Sequence, residues 1–522
     1  MPAPVHIRPA GDRALLVDLP GLQEVLSLQA TLTADPADGQ VDVVAAARTV
    51  LVTASSPAAA RQIAARIRAA DLAAAPGAAA DLVVVDTLYD GEDLAAVADL
   101  TGLSIDGVIA AHSGQTWTAA FGGFAPGFAY LAGEDTRLEV PRRPSPRTAI
   151  PAGSVALAGT YSAVYPGRSP GGWQLIGRTT ARMWDPHREQ PALVRPGARV
   201  RFRPVRELVE ISRPAPAAAG TGKPGHGVVV LSPGLQTTVQ DLGRPGFADL
   251  GVTVSGALDR GALRRANRLA GNPAGAAGLE TVLGGLVLEA AGDQVVAVSG
   301  TRVPLTITGP DGGGRMVAAE APFALLDGET LTLGTPASGL RSYVAIRGGL
   351  DVPAVLAARA TDTLSGTGPA PVARGTMLPV AAAPPGSVVG FPEPPAAEPA
   401  EVTELRFVPG PRADWFTAQS LAGLGQQLWT VTPQSNRIGL RLDGTPLERA
   451  RAGELDSEGT VSGAIQVPPS GLPILFLADH PVTGGYPVAG VVLAADLDKA
   501  AQLGPGARIR FVPAPEAAPV PL

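Results

Sequence analysis

The 522-residue chain contains no cysteine. That excludes disulfides and any metal held by thiolates, and it removes the argument for secretion without naming a compartment. No apolar run approaches the ~18–20 residues needed to span a bilayer. The N-terminal MPAPVHIRPAGDRALLVDL lacks the uninterrupted apolar centre of a signal peptide. A cytoplasmic protein without a membrane partner is the expectation. Net charge is −6 with no basic block, so nucleic acid is not an expected partner. The five histidines form no metal spacing and no HExxH or EF-hand pattern occurs, so no metal site is expected. Aromatic residues amount to 4%, which makes any local concentration of them informative.

What is present is glycine (64) and proline (52), in a chain that is 45% hydrophobic. This composition predicts β-structure with many shaped turns, and the length suggests ~3–4 domains. Strand-like runs at 5–19, 41–53 and 81–86, a helix-like segment at 23–32 and an amphipathic helix at 58–75 suggest a small α+β domain over 1–88. A second domain is expected over 89–212. Its helices near 92–100 and 104–113 include a Ser104 cap, with His112 as a core histidine, and it ends in the alternating strand PGARVRFRPV. Residues 213–227 read as a linker. Two further β-rich domains are expected at 228–395 and 396–522, the first with a helix over 262–271. An internal repeat runs through both halves: AGSVALA, GGW and PGARVRF at 152–202 recur in order as SGAIQVP, GGY and PGARIRF at 462–511.

The stretch 121–178 gathers Gly, Pro, aromatic and Arg residues into what reads as short strands joined by shaped turns. It is a candidate site, because rigidly mounted turns carry function; a structural hinge is the alternative. Gly167-Arg168-Ser169-Pro170-Gly171 matches a Gly-x-Ser-x-Gly nucleophile elbow in form. That device needs the backbone N–H after the serine, and Pro170 has none, so Ser169 is not an elbow nucleophile. Gly220-Thr221-Gly222-Lys223 lacks phosphate-loop spacing and falls in the linker. Asp479 and His480 share a second Gly/Pro/aromatic turn, where a general base or a turn-capping carboxylate are both open readings.

GFAPGFAYL, PRRPSPRTAIPAGSVALAG and YPGRSPGGWQLIGRT resemble the KipI, or allophanate hydrolase subunit 1, family, also called the B subunit of 5-oxoprolinase. PGLQTTVQDLGRPG, GALDRGALRRANRLAGN, YVAIRGGLDVP, SNRIGLRL and SEGTVSGAIQVPPSGLPILFLADHPVTGGYP resemble the KipA family, allophanate hydrolase subunit 2 or the C subunit of 5-oxoprolinase. The chain therefore resembles a fusion of the B and C components of 5-oxoprolinase.

The resemblance implies a β-rich α+β fold, a small N-terminal domain followed by cyclophilin-like β-barrels. It implies ATP-dependent opening of 5-oxo-L-proline to L-glutamate, with ATP and Mg2+, together with a separate protein, the 5-oxoprolinase A component; a homo-oligomer is left open. The family motifs carry over as shared positions. The expected catalytic residues are Arg147, Asp479 and His480. The expected substrate-binding residues of the first half are Phe124, Pro126, Gly127, Tyr130, Arg142, Ser169, Gly171, Gly172 and Trp173. Those of the second are Gln240, Asp241, Arg244, Asp259, Asn267, Glu280, Asn436, Arg437, Thr483, Gly485 and Tyr486. The rival expectations are a carboxyltransferase-like unit that binds urea or an amide, and a KipI/KipA-type regulator of a histidine kinase.

Overall fold

The computed structural model describes residues 5–70, 82–145, 147–208, 226–394, 400–453 and 455–514. The expected linker, with Gly220–Lys223, lies outside the described residues except at 226 and 227.

The first domain is an antiparallel sheet in the order His6–Pro9, Ala14–Asp18, Thr49–Ala54, Gln40–Ala45, with helices Leu22–Ala34 and Pro57–Ala69. Ser56 caps the second helix and Pro57 occupies its first turn, where the missing N–H costs nothing. Side chains alternate across a strand. Leu15, Val17, Val50 and Val52 therefore meet Ile63 and Ile67 of the helix, while Leu16, Val44 and Leu51 on the opposite face meet Ala248 and Val482 from the second half. Burial of both faces explains why these strands read as continuous apolar runs.

Strand Leu82–Thr87, expected in the first domain, instead pairs in parallel with Arg199–Pro204 inside the second. The second domain is a seven-stranded sheet whose two edges are joined by the Leu88–Arg178 bridge. Residues 226–394 form six- and five-stranded sheets around one core, with helix Arg260–Ala270. Residues 402–513 form a closed seven-stranded barrel.

The internal repeat is a repeat of structure. Val402–Phe407 pairs in parallel with Arg508–Pro513, as 82–87 does with 199–204. Trp117 lies opposite Val200 and donates its Nε1–H to the His112 carbonyl at 2.9 Å; Trp429 lies opposite Ile509 and donates to the Leu424 carbonyl at 3.0 Å. Thr179 N bonds Gly153 O, and Val492 N bonds Gly463 O, each at 2.8 Å. His112 is the core histidine expected: it bonds Tyr89 and Ser162, and burial lowers its pKa to about 3.

The two halves share an extensive interface. Asp42 Oδ1 accepts the backbone N–H groups of Gly246 (2.8 Å) and Ala248 (3.2 Å), and Gly127 N donates to Leu250 O. Burial raises the Asp42 carboxyl to about 6. A raised carboxyl contributes stability that is fully present below the unfolded pKa and lost as pH rises through the folded one. Asp42→Asn should therefore show a melting temperature that gains on wild type between pH 5 and pH 7.5. A difference that stays constant across that range would refute the assignment.

Candidate functional site

The scarce aromatic residues converge on the turn after strand Trp117–Gly122. Tyr130 stacks on Phe121 with ring centroids 4.2 Å apart and meets Trp173 and Tyr161 edge-on at 5.4 and 5.7 Å. Phe124, held at a φ of 64°, and Phe128 both lie edge-on to Tyr165. A Cβ on Gly171 would fall 2.4 Å from the Tyr165 hydroxyl oxygen, so that position accepts only glycine without displacement. The Trp173 backbone bonds the same hydroxyl.

The second half completes this cluster. Phe124 N donates to Thr483 Oγ1 at 3.1 Å, and Thr483 occupies the space a side chain on Gly123 would need. Burial raises the Tyr130 pKa, against hydrogen bonds from Ser457 and Thr483 and the positive charge of Arg142. Burial also raises Tyr165. Both phenols are therefore neutral O–H groups at pH 7. Arg142 is exposed and forms no ion pair with a described carboxylate. These rings, with hydroxyl groups contributed by both halves, pack as a buried part of the hydrophobic core, and the exposed Arg142 acts on them from its edge.

The turn 479–486 is anchored in a buried ionic network. Arg437 donates to Asp479 through Nε (2.9 Å) and Nη2 (3.0 Å), to Glu280 through Nη1, and to Gly256 O at 2.6 Å. Asp479 also accepts from Ser255 Oγ at 2.6 Å and from Thr363 N and Oγ1 at 2.9 and 2.7 Å. Glu280 accepts from Leu258 N and the Tyr343 hydroxyl, with Arg341 at 3.5 Å. Burial pushes both carboxyls up, but their guanidinium partners overcome it and hold both below the usual range. Asp479 has every lone pair engaged and is a permanent carboxylate. It positions the turn, and the general-base role expected for it is corrected on that ground. His480 stacks on Phe476, and its Nδ1 is 2.8 Å from Pro481 O. Nδ1 therefore carries the proton and Nε2 is the acceptor. Burial lowers this imidazole to about 4, so it is neutral at pH 7.

Arg147, expected to be catalytic, is committed elsewhere. It makes a two-pronged ion pair with Asp93 (2.9 Å each) and reaches Glu92, while Arg143 bonds Asp93 at 2.6 Å. Asp93 in turn accepts from Leu175 N. Arg147→Ala should lower thermal stability, leaving turnover per folded molecule within about twofold of wild type. A larger loss of turnover at unchanged stability would restore a catalytic role.

The remaining expected residues divide plainly. Pro126 and Gly127 shape the aromatic turn, and Gly172 O holds Arg143 N. Ser169 Oγ is buried without a partner on the strand opposite Ile150. Gln240 and Arg244 lie beside the ionic network, bonded to the carbonyls of Thr361 and Ala360. Asp241, Asp259 and Asn267 do local structural work. Asp241 accepts from Gly243 and Arg359, Asp259 caps helix 260–270, and Asn267 ties down Ala276. Asn436 is exposed and bonds Ile438 N, away from the aromatic cluster. Gly485 and Tyr486 continue the anchored turn, with Tyr486 45% exposed. Sequence reasoning missed Asp93, Ser457, Tyr165, Arg341 and Tyr343. The repeat could have pointed to Asp93, since PGPR at 409–412 occupies the place of DGED at 90–93.

Among the described residues no group of three His, Cys, Asp or Glu side chains could hold a metal ion, and no glycine-rich turn with a lysine cradles phosphates. The larger cavity, about 660 Å3 near Asp259, Arg265 and Lys499, and a smaller one near Asp42 both lie apart from the aromatic cluster.

Residues 5–194 match the family model "Carboxyltransferase domain, subdomain C and D", and residues 250–513 match "Carboxyltransferase domain, subdomain A and B". The chain is 36% identical over 292 residues to the 5-oxoprolinase C subunit of Escherichia coli K12, covering 54% of this chain and 90% of that protein. It is 49% identical over 119 residues to the 5-oxoprolinase B subunit of E. coli O157:H7, 23% of this chain and 55% of that one, so it spans about half the length of that relative. Urea amidolyase of Lachancea kluyveri is 31% identical over 315 residues, 54% of this chain but 17% of its own length. Among solved structures, that of TTHA0988 superposes with a TM-score of 0.84 at 33% identity, covering 96% of this chain and all of that one.

Proposed function

The chain belongs to the carboxyltransferase-domain family, with subdomains C and D ahead of A and B on one polypeptide, and on that premise we propose that it is the fused B and C component of an ATP-dependent 5-oxoprolinase. The observation that carries this reading is the composite cluster. Tyr130 and Phe124 of the B-like half meet Ser457 and Thr483 of the C-like half, with the charge of Arg142 acting on Tyr130, so the site needs both halves. In the proposed mode Arg142 receives the carboxylate of 5-oxo-L-proline, the aromatic wall packs its ring, and the hydroxyl groups donate to the lactam oxygen. A lactam resists water because nitrogen shares its lone pair with the carbonyl. Donors aimed at that oxygen favour the polarised form. His480, neutral at pH 7, lies on the same turn as Thr483, packed on Phe476.

The test is to mix the purified chain with the 5-oxoprolinase A component and follow ADP and glutamate release. The reading requires release that depends on 5-oxo-L-proline and on both proteins; a correctly folded mixture without turnover overturns it. The similarity to urea amidolyase favours a second reading, a unit that binds urea or a related amide, and urea in the same assay separates the two. A kinase-regulator role gains nothing from the fold, because inhibitor-like and antagonist-like halves that share a buried interface cannot act as separate opponents.

A further inference from the structure

The larger cavity, about 660 Å3, lies between the domain of residues 226–394 and the closing barrel, a volume in the range of small-molecule sites. Gln502 of the barrel bridges the two domains beside it. Its Nε2 donates to Asp259 Oδ2 at 2.8 Å, and its Oε1 accepts the N–H groups of Leu340 and Arg341 at 3.1 and 2.8 Å. Helix Arg260–Ala270 also begins at this cavity. A helix N-terminus ordinarily invites an anion. Here the three N–H groups that open the helix are already taken. Asp498 accepts from Arg260 N at 3.0 Å and Gly261 N at 3.1 Å, and Asp259 accepts from Ala262 N at 2.8 Å.

The two carboxylates crowd one spot. Asp498 Oδ2 and Asp259 Oδ1 lie 2.7 and 3.5 Å from where a Cβ on Gly261 would stand. Their hydrogen-bond donors are backbone and amide N–H groups, none of them charged. Burial and the neighbouring charge of Asp498 raise the Asp259 carboxyl to about 6, as befits a carboxylate short of positive charge. The described lining as a whole is balanced: Asp259, Asp498 and Glu404 stand with Arg265, Arg302 and Lys499. A purely anionic or purely cationic ligand would leave half of these charges unanswered. The signs are also separated by depth. Asp259 is 8% exposed, whereas Lys499 is 53% exposed and Arg302 is exposed as well. Arg265 is drawn toward Glu320 and Glu393, but Asp496, the carboxylate beside Lys499, is already met by a two-pronged bond from Arg406. Thr403, 7% exposed, lines the same cavity, and its Oγ1 has no partner among the described residues. A buried hydroxyl left without a partner is costly, so a ligand that bonds it is favoured.

We propose that this cavity binds an acidic amino acid, with its ammonium group between Asp259 and Asp498, its carboxylates on Arg302 and Lys499, and the Thr403 hydroxyl as a further contact. The class follows from the lining. That the ligand is L-glutamate rests on the functional reading above, in which glutamate is the released product.

The experiment is isothermal titration calorimetry of the full chain without the A component, which should show one site for L-glutamate. Glutarate, which lacks the ammonium, and putrescine, which lacks the carboxylates, should each bind about tenfold more weakly or worse. Asp498→Asn and, separately, Arg302→Ala should each weaken L-glutamate about tenfold. Arg302 is exposed, so Arg302→Ala keeps the test valid if Asp498→Asn unfolds. Arg142→Ala should leave this affinity unchanged, because Arg142 belongs to the aromatic cluster. Absence of binding up to about 10 mM overturns the proposal, as does unchanged affinity in folded Arg302→Ala and Asp498→Asn. Glutarate or putrescine matching L-glutamate overturns the amino-acid class. Binding lost in Arg142→Ala alone places the glutamate elsewhere and also overturns the proposal. With the A component absent, none of these outcomes bears on the turnover test of the functional reading. A mixture without turnover, beside a chain that still binds L-glutamate, removes that reading and leaves the site for an acidic amino acid in place.

Discussion

Replacing Arg437 by methionine is expected to cost about 3–5 kcal/mol of unfolding free energy, because it strands two buried carboxylates. Arg437 is 2% exposed, and its guanidinium binds both Glu280 and Asp479. Methionine fills much of the volume, so the loss reports charge and not a cavity. Glu280→Gln combined with Arg437→Met should be less harmful than Arg437→Met alone, since one stranded charge is gone. The pH profile supplies a second check. Both carboxyls are held below their ordinary range, so their contribution is present above the unfolded pKa and is lost as pH falls through the lower folded value. Wild type should lose stability on the acid side more steeply than the double variant. Urea unfolding at two pH values reads both effects. A cost below about 1 kcal/mol for Arg437→Met would show that the network relaxes or takes up water. The same variant should also lose activity, because Asp479 opens the turn that carries His480 and Thr483.

Arg142→Ala is expected to act in the opposite way, leaving stability alone and raising KM for 5-oxo-L-proline about 10- to 100-fold, the worth of one charge-assisted contact. Its side chain is exposed, pairs with no described carboxylate, and lies within electrostatic reach of Tyr130 and Tyr165. Lysine should recover part of the loss, since it keeps the charge without the planar fork. The amide of 5-oxoproline, which lacks the carboxylate, should be handled equally by wild type and Arg142→Ala. Equal KM values for the acid itself in the two proteins would remove Arg142 from substrate recognition.

The contrast between Arg142 and Arg147 marks the limit of motif reading. Both stand in one Pro-rich run, and nothing local distinguishes them. Asp93, more than fifty residues upstream, takes Arg147 and leaves Arg142 free. Asp479 and His480 likewise adjoin in sequence, yet one is locked by Arg437, Ser255 and Thr363 while the other packs on Phe476 and turns its Nδ1 to Pro481 O. Strand 82–87 was legible as a strand from its apolar run, but its parallel partner lies more than a hundred residues away. An apolar run states that a strand is buried and is silent about which sheet buries it.

By itself the sequence determined the β-rich α+β character, a helix expected over 262–271 and found at 260–270, the repeat in the two barrels and the concentration of aromatics near 121–178. These follow from composition, short-range periodicity and turn chemistry, which act over a few residues. Tertiary structure alone decided which charges are spent on one another and which are left to meet a ligand or a partner. It joined Thr483 to Phe124 across 359 positions and Asp18 to Arg412 across 394. The physical reason is that a buried charge must find its counter-charge wherever the fold brings one. Such pairings leave no local trace in the chain.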